Sequence, residues 1–164
     1  MDTMIPKDAI KNSTPIIYRA NETDLQEILR LQYLAYQSEA ALFSSRDIPP
    51  LKQTLDEVIT EYHSGVILKM MLDGQIIGSV RAREHNGTIH IGKLMVHPDF
   101  RGRGYGSRLL SEIEGCFPKK RYELFTSSKS CGNIRLYQKA GYAIFDCKPV
   151  NDELQFVYLE KNGE

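Results

Sequence analysis

Two glycine-containing dipeptides divide the middle of the chain into three strand-like segments. Asp73-Gly74 separates the run VILKMML from QIIGSVRARE, and Asn86-Gly87 separates that second run from TIHIGKLMV. Asp-Gly and Asn-Gly favour the tight turns whose twist matches two antiparallel strands. Because such turns join neighbouring strands directly, residues 66 to 96 are predicted to form a three-stranded antiparallel meander.

Helical and strand-like patterns flank this meander on both sides. Before it, the sequence predicts a short strand over PIIYRA. Helices are predicted over TDLQEILRLQYLAYQSEAAL, where Thr23 and Gln26 have capping-box spacing, and over LKQTLDEVITEYHSG, which Gly65 ends. After the meander, the sequence predicts a helix from about Tyr105 to Glu114, a strand over YELFT, a helix over NIRLYQKAGY, and strands over YAIFD and ELQFVYLE.

This order of elements, β-α-α-β-β-β-α-β-α-β-β, predicts an α/β (mixed α+β) fold. We expect a single mixed, mostly antiparallel sheet of about seven strands, with about four helices on its faces. The strand–helix–strand unit around residue 105 is expected to be a parallel crossover. The 164 residues are expected to form one domain, residues 15–164, after a loose N-terminal tail at residues 1–14.

Charge and cysteine usage narrow the classes of partner. The 21 basic and 21 acidic side chains give a formal net charge of zero, which argues against a nucleic acid or a membrane surface as partner. No apolar run is long enough to span a bilayer, and the first residues lack the apolar core of a signal peptide. Cys116, Cys131 and Cys147 show no CxxC spacing, so we expect reduced thiols in a cytoplasmic protein and no metal site.

Glycines at every second position mark the segment RGRGYG, residues 101 to 106, directly before a predicted helix. Glycines let backbone N–H groups converge on an anion at a helix N-terminus, and Arg101, Arg103 and Arg108 add mobile positive charge. The segment therefore predicts a phosphate cradle, most simply for a diphosphate. A P-loop would need a lysine after the last glycine and a dinucleotide fingerprint would need GxGxxG, so both fit badly. A glycine-rich turn without a ligand is the remaining alternative.

Three segments resemble the GNAT family of N-acetyltransferases. LMVHPDFRGRGYGSRLLSEIE is similar to the acetyl-coenzyme A signature R/Q-x-x-G-x-G/A, with Arg101, Gly104 and Gly106 at its stated positions. Asn133, followed one turn later by Tyr137 and then by KAGY, resembles a later family motif, and YRANETDLQEI resembles the usual first strand and helix. Together they extend the resemblance over nearly the whole chain, from about residue 16 to 160.

The resemblance implies acetyl-coenzyme A as the cosubstrate and no metal. In this family the strand before the glycine loop splays from its parallel neighbour, and the pantetheine arm lies in the gap. The resemblance implies that Leu94, Met95 and Val96 contact the pantetheine and acetyl group, and that Asn133 also binds the cofactor. The pyrophosphate is expected to bind at Arg101, Gly102, Arg103, Gly104, Tyr105, Gly106 and Ser107.

Acetyl transfer from a thioester to an amine needs a base, an oxyanion donor and a group beside the departing sulfur. We expect a backbone N–H near Met95 to be the oxyanion donor. Family members commonly place a tyrosine acid where this chain has Tyr137, which lies one helical turn from Asn133. Because a phenol has a pKa of about 10 and a thiol one of about 8.5, a hydrogen bond to the thiolate is more favourable than full proton transfer. Core packing is the alternative role of Tyr137.

His90 is the candidate base. By strict alternation it shares a face of the third meander strand with Gly92, Leu94 and Val96, and many relatives carry a glutamate at this place. An imidazole is a competent base near neutral pH, directly or through a water. The alternatives are a buried structural role for His90, and Glu84, a carboxylate of the first two helices or bulk water as the base.

The resemblance therefore implies an N-acetyltransferase that moves the acetyl group to a primary amine of a small molecule or peptide, by direct transfer in a ternary complex. A non-catalytic acyl-coenzyme A-binding regulatory module on the same fold is the alternative. We expect the acceptor between the loop SSRDIPPL, which contains Arg46 and Asp47, and the ends of the central strands. The last strands are available for pairing in a homodimer.

Overall fold

A single mixed sheet forms the centre of the protein in the computed structural model, which describes residues 14–43 and 48–163. The strand order is β1-β2-β3-β4-β5-β7-β6, and all neighbours are antiparallel except β4 and β5. The strands are β1 (Ile16–Arg19), β2 (Val66–Leu72), β3 (Gln75–His85), β4 (Thr88–Val96), β5 (Arg121–Ser127), β6 (Ala143–Pro149) and β7 (Gln155–Asn162). The predicted seven-stranded, mostly antiparallel sheet with one parallel crossover is confirmed.

Two sequence-based expectations lie outside the described residues. They are the N-terminal tail up to residue 13 and the part of the acceptor loop that contains Arg46 and Asp47. Within residues 14–43 and 48–163, no helix combines the length and apolar character needed to cross a bilayer.

The two helices predicted before the meander are each divided. The α-helices of the described residues are α1 (Leu25–Ala35), α2 (Gln37–Leu42), α3 (Pro49–Lys52), α4 (Leu55–Ser64), α5 (Tyr105–Gly115) and α6 (Cys131–Lys139). The first predicted helix breaks at Tyr36, whose φ and ψ are −84° and 0°. The second is replaced by a single turn, α3, and by α4, which begins after Thr54.

Local capping residues explain where α1 and α4 begin. The capping box predicted at Thr23 and Gln26 is wrong, because the chain enters α1 through a 3-10 turn in which the Asn21 backbone N–H donates to Asp24 Oδ2 at 2.7 Å. The capping box of α4 lies at Thr54, whose backbone N–H donates to Glu57 Oε1 at 3.1 Å. Such reciprocal bonds satisfy N–H groups that a helix start otherwise leaves unpaired.

Both predicted hairpin turns are confirmed by their backbone angles. Asp73 and Gly74 have φ values of 50° and 78°, and Asn86 and Gly87 have 50° and 80°. Positive φ at both central residues is the mark of the type I′ turn, which suits the right-handed twist of adjoining strands. The meander therefore extends from β2 to β4 without a crossover.

Gly65 ends α4, as predicted, but not in the left-handed conformation that helix-ending glycines often adopt. Its φ of −162° is extended, so the conformation itself does not require glycine. A Cβ at this position would lie 2.2 Å from the carbonyl oxygen of Ala82 in β3. Glycine is thus required because the chain passes directly over β3 as it leaves α4.

Helices cover both faces of the sheet and define two apolar cores. On one face, α5 buries Leu109, Leu110 and Ile113 completely against the central strands, and α6 packs beside it. On the other face, α1 and α4 bury residues that include Leu25 and Val58.

Candidate active site

The parallel strands β4 and β5 separate at one end of the sheet. They pair only over residues 88–90 of β4 and 121–123 of β5. β4 then continues to Val96 and β5 to Ser127 without further pairing between them. Beyond His90, the edge of β4 that faces β5 therefore pairs with no other strand of the described residues, and its backbone groups are available to an extended ligand.

A bulge at Lys93 changes the face to which the end of β4 presents its side chains. The register shifts between residues 79 and 81 of β3, where β4 carries one extra residue, and Lys93 has a φ of 50°. Ile91 and Leu94 both pack on the α5 side, whereas Met95 packs on the α1 side. The prediction that His90 shares a face with Leu94 is wrong, because the bulge interrupts strict alternation.

The three glycines of the loop at residues 101–106 meet two different requirements. Gly102 and Gly104 have φ values of 76° and 81°, which L side chains rarely adopt, and no atom lies within 4 Å of a Cβ at either position. At Gly106 a Cβ would lie 3.1 Å from Leu136 Cδ1 of α6. The first two glycines thus shape the turn, and the third lets α5 pack closely on α6.

The N-terminus of α5 is open. Its N-cap is Gly104, no side chain of the described residues caps it, and its first turn contains no acidic residue. The first N–H groups of a helix lack intrahelical partners and carry a partial positive charge. Together with the left-handed glycines, this terminus has the geometry and the charge of an anion-binding site.

The prediction of three mobile arginines is wrong for two of them. Arg101 Nη2 donates to the last carbonyl of α1 at 2.8 Å, and Arg108 Nη2 donates to the Pro15 carbonyl at 2.9 Å. Arg101 therefore attaches α1 to the glycine loop, and Arg108 attaches the segment before β1 to the first turn of α5. Arg103 is exposed, and its guanidinium lies 5.2 Å from the centre of the Phe100 ring.

Tyr137 belongs to α6, and its side chain packs in the apolar core on the α5 side of the sheet. It is 7% exposed, and its hydroxyl donates to no acceptor among the described residues. Burial, together with the nearby Tyr36 phenol and Glu39 carboxylate, raises the pKa of Tyr137. The phenol therefore stays protonated and is suited to donating a hydrogen bond rather than releasing its proton. Tyr36, at the break between α1 and α2, has a pKa raised mainly by burial and is a second phenol in this region.

Asn133 is held by contacts with α2 and β5. Its Nδ2 donates to Glu39 Oε1 at 3.2 Å and to Thr126 Oγ1 at 3.3 Å. Ser130, at the start of α6, donates its hydroxyl to Glu39 Oε2 at 2.9 Å. Glu39 thus joins α2 to the N-terminus of α6 one turn before Tyr137.

A cavity of about 300 Å³ opens on the α1 and α4 side of the sheet, where β4 and β5 separate. His90 and Lys93 of β4 form one wall, Glu61 of α4 another, and Glu123 and Phe125 of β5 a third. A larger open hollow of about 690 Å³ lies beside β1 and the first hairpin turn, and it contains none of these residues. The smaller cavity adjoins the unpaired edge of β4 and is the better candidate for an acceptor site.

The surroundings of His90 favour its neutral form. Burial lowers its pKa most, and Arg83, His85 and Arg121 lower it further, while Glu123 opposes them. A neutral imidazole has the lone pair that a general base needs. The structure thus places His90 in the cavity, although on the opposite face from Leu94.

The structure also distinguishes between two carboxylates that are alternatives to His90 as the base. Glu84 forms an ion pair with Lys120 at 3.0 Å and is not part of the cavity wall. Glu61 of α4 does line the cavity, but its Oε2 accepts from Arg81 Nη1 at 2.6 Å. Because this oxygen already binds a guanidinium, Glu61 is less available to a substrate amine than His90.

Sequence reasoning missed the polar network behind this cavity. Arg81 is only 5% exposed, donates to Gln32, Gln53 and Glu61, and leaves its Nε without a hydrogen-bond partner in the described part of the chain. The spacing of Arg81 and Arg83, two residues apart on β3, was the only available signal. The partners of Arg81 come from α1, from α4 and from the residue Gln53 between α3 and α4, so no local pattern could have identified them.

The chain, with its separated parallel strands, left-handed glycine turn and open helix terminus, was compared with known protein families and structures. Residues 23–142 match the model of the acetyltransferase (GNAT) family, and the chain belongs to that family, as the sequence resemblance predicted. An acetyltransferase of Pectobacterium atrosepticum is 37% identical over 84 residues, which cover 46% of this chain and 56% of that protein. The chain spans about half or less of the length of the curated relatives it matches.

Solved structures share the fold. The PaiA N-acetyltransferase of Thermoplasma acidophilum in complex with coenzyme A has a TM-score of 0.75 and 18% identity, over 91% of this chain and 99% of that chain. A phosphinothricin acetyltransferase of Sinorhizobium meliloti in complex with acetyl-coenzyme A has a TM-score of 0.72 and 16% identity, over 92% of this chain and 89% of that one.

Proposed function

We propose that the chain transfers the acetyl group of acetyl-coenzyme A to a primary amine of a small molecule or peptide, directly and in a ternary complex. The observation that carries this proposal is the separation of β4 from β5 beside the uncapped N-terminus of α5. An unpaired strand edge suits the amides of a pantetheine arm, and an open helix terminus suits a diphosphate. Two structures that share this fold contain coenzyme A or acetyl-coenzyme A.

The residues present fit this cosubstrate. The backbone of Leu94, Met95 and Val96 would receive the pantetheine, and the N–H groups of residues 101–107 would receive the pyrophosphate. The open space in front of Gly102 and Gly104 supports close approach of a phosphate. Arg103 is the exposed cation of this loop, and Asn133 lies across the gap on α6.

The chemistry is an exchange at the thioester carbon. The amine nitrogen forms a bond to this carbon while the carbon–sulfur bond breaks, and coenzyme A leaves as the thiolate. We assign His90 as the base that receives the amine proton, directly or through a water, because its pKa is lowered and it lines the cavity. The backbone N–H of Met95 remains the proposed donor to the oxyanion.

Tyr137 is the proposed partner of the leaving sulfur. Its hydroxyl donates to no acceptor among the described residues, so it is available to a thiolate. The raised pKa of this phenol supports a hydrogen bond in place of full proton transfer. Exposed free thiols at Cys116, Cys131 and Cys147 support the proposal of a reducing, cytoplasmic compartment.

A matched pair of glycine variants tests the proposal. Gly104→Val and Gly74→Val introduce the same side chain at φ values of 81° and 78°, both in open space, so each carries a similar backbone strain of about 1–3 kcal/mol. Calorimetry with acetyl-coenzyme A should show a loss of affinity of roughly tenfold or more for Gly104→Val alone. Equal affinities for the two variants would contradict the phosphate cradle.

Release of free thiol tests the reaction itself. The protein should release coenzyme A from acetyl-coenzyme A only when a competent amine is added. Tight binding without thiol release, over a broad panel of amines, would instead favour a non-catalytic acyl-coenzyme A-binding module.

A further inference from the structure

We infer that the amine acceptor carries a carboxylate close to its reacting nitrogen and an apolar or aromatic side chain, as an aromatic α-amino acid does. The inference rests on the proposed acetyl transfer and concerns the cavity beside His90. Arg83 and Lys93 would bind the carboxylate, and Phe125 and Tyr158 would contact the side chain.

The charges around the cavity do not balance. Its wall contains the cations Arg81, Arg83 and Lys93 and the carboxylates Glu61 and Glu123. Both carboxylates already accept hydrogen bonds from guanidinium groups, and Arg121, the partner of Glu123, also binds Glu160. Glu61 Oε2 accepts from Arg81 at 2.6 Å, and Glu123 Oε2 accepts from Arg121 at 2.9 Å.

Two cations of the wall are left without such a partner. Among the residues that the structure describes, neither Arg83 nor Lys93 forms an ion pair or a hydrogen bond through its side chain. Burial and the Arg81 charge lower the pKa of Lys93, and Glu61 only partly opposes them. An anion bound beside Lys93 would stabilise its charged ammonium group. The cavity therefore favours an anionic acceptor over a cationic one.

The strand register places these cations near the reacting nitrogen. Arg83 pairs directly with His90 across β3 and β4, and opposed residues of antiparallel strands have Cα atoms about 4.5–5.5 Å apart. Lys93 follows three residues after His90, at the bulge where β4 turns toward the separation from β5. A carboxylate held by both side chains would therefore lie within a few bonds of an amine that reaches His90.

The opposite side of the cavity is aromatic. Phe125 is 54% exposed, and its ring centre lies 5.4 Å from that of Tyr158. Such exposed rings are suited to contact with a flat or apolar group. The cavity volume of about 300 Å³ is at the lower end of the range for small-molecule sites, so it suits an amino acid better than a polymer.

Substrate pairs that differ only in charge test this inference. Phenylalanine and phenylalaninamide share the amine and the ring, but only the first has a carboxylate. We expect kcat/KM for phenylalanine to exceed that for its amide by roughly 10- to 100-fold, as expected for one or two charge-assisted hydrogen bonds. The less basic amine of the amide works against this result, so the expected preference is a conservative test.

A double variant assigns the preference to the two cations. In Arg83→Gln/Lys93→Gln the ratio of the two kcat/KM values should fall to one or below, because the less basic amine of the amide then has the advantage, and Lys93→Arg should retain most of the preference. The matched control Arg30→Gln/Lys139→Gln removes two exposed cations outside the cavity and should keep the ratio. A ratio that persists in Arg83→Gln/Lys93→Gln, or a parent that accepts acid and amide equally, would overturn the inference.

Product binding separates this inference from the proposed function. N-acetylphenylalanine should bind the coenzyme A complex roughly tenfold or more tightly than N-acetylphenylalaninamide does, and the cavity variant should lose this difference. A parent that shows this difference but releases no thiol with any amine would support the anion site and contradict the transferase. A parent that acetylates amines but binds both products equally would support the transferase and contradict the anion site.

Discussion

Replacement of Tyr137 by phenylalanine is the sharpest test of the catalytic assignment, because it removes one oxygen atom from the core. The ring packs in the cluster beneath α5 and lies 6.2 Å from the ring of Tyr142. Phenylalanine keeps this packing. Since the hydroxyl makes no hydrogen bond with a described residue, its loss should change the free energy of unfolding by less than about 1 kcal/mol.

The expected loss of activity follows from the raised pKa of this phenol. A group that holds its proton tightly contributes a hydrogen bond to the thiolate and not a complete proton transfer. Hydrogen bonds to charged groups contribute about 1.5–3 kcal/mol. Because about 1.4 kcal/mol corresponds to a tenfold change in rate, kcat for Tyr137→Phe should fall by about 10- to 150-fold.

The assay is the release of free thiol at saturating acetyl-coenzyme A with a competent amine. The matched control is Tyr142→Phe, which removes a second hydroxyl from the same cluster. That hydroxyl donates to Glu114 Oε2 at 2.7 Å, so the control should lower stability and leave kcat nearly unchanged. The affinity for acetyl-coenzyme A should be similar in both variants.

Activity of Tyr137→Phe within twofold of the parent would refute the assignment and leave core packing as its role. A large loss in Tyr36→Phe instead would move the function to Tyr36, whose phenol lies near enough to raise the pKa of Tyr137. Equal losses in Tyr137→Phe and Tyr142→Phe would attribute the effect to a disturbed core and contradict a specific role at the sulfur.

Two further outcomes follow from single positions. Burial lowers the pKa of His90, although Glu123 opposes this, and the neutral imidazole is the base. The acidic limb of the kcat/KM profile against pH should therefore have its midpoint below about pH 6.5. An unchanged acidic limb in His90→Gln would assign the base to another group. Gly65→Ala forces a Cβ to within 2.2 Å of the Ala82 carbonyl and should lower the free energy of unfolding in urea by about 1–3 kcal/mol or more, whereas Gly115→Ala, in open space, should be neutral or stabilising.

Local patterns predicted the parts of this protein that local physics decides. The dipeptides Asp73-Gly74 and Asn86-Gly87 favour one turn type by themselves, and the structure has both turns. Gly102 and Gly104, directly before a helical pattern, likewise predict a turn from the local sequence alone, and both adopt the left-handed conformation. These features allowed the sheet and the glycine turn before α5 to be located from the sequence alone.

Tertiary contacts decided what the patterns did not predict. Arg101 and Arg108 were expected to be mobile, but backbone carbonyls of α1 and of the segment before β1 accept their hydrogen bonds. The helix break at Tyr36 lacks glycine and proline, the residues that usually signal a break. The cavity wall combines α4, β3, β4 and β5, which are distant in sequence and which no periodicity connects.

The bulge at Lys93 connects the two halves of the site and was the least predictable feature. A lysine with φ of 50° is held in the left-handed region, which costs an L-residue about 1–2 kcal/mol, and nothing in the residue type announces it. The extra residue keeps Leu94 on the α5 side and turns Met95 toward α1. The same distortion brings an ammonium group to the cavity beside His90, where burial lowers its pKa. Backbone strain and a buried charge thus coincide at Lys93, as expected where local stability is given up for binding. A bound carboxylate would stabilise the charge of Lys93 and so reduce the cost of burying it.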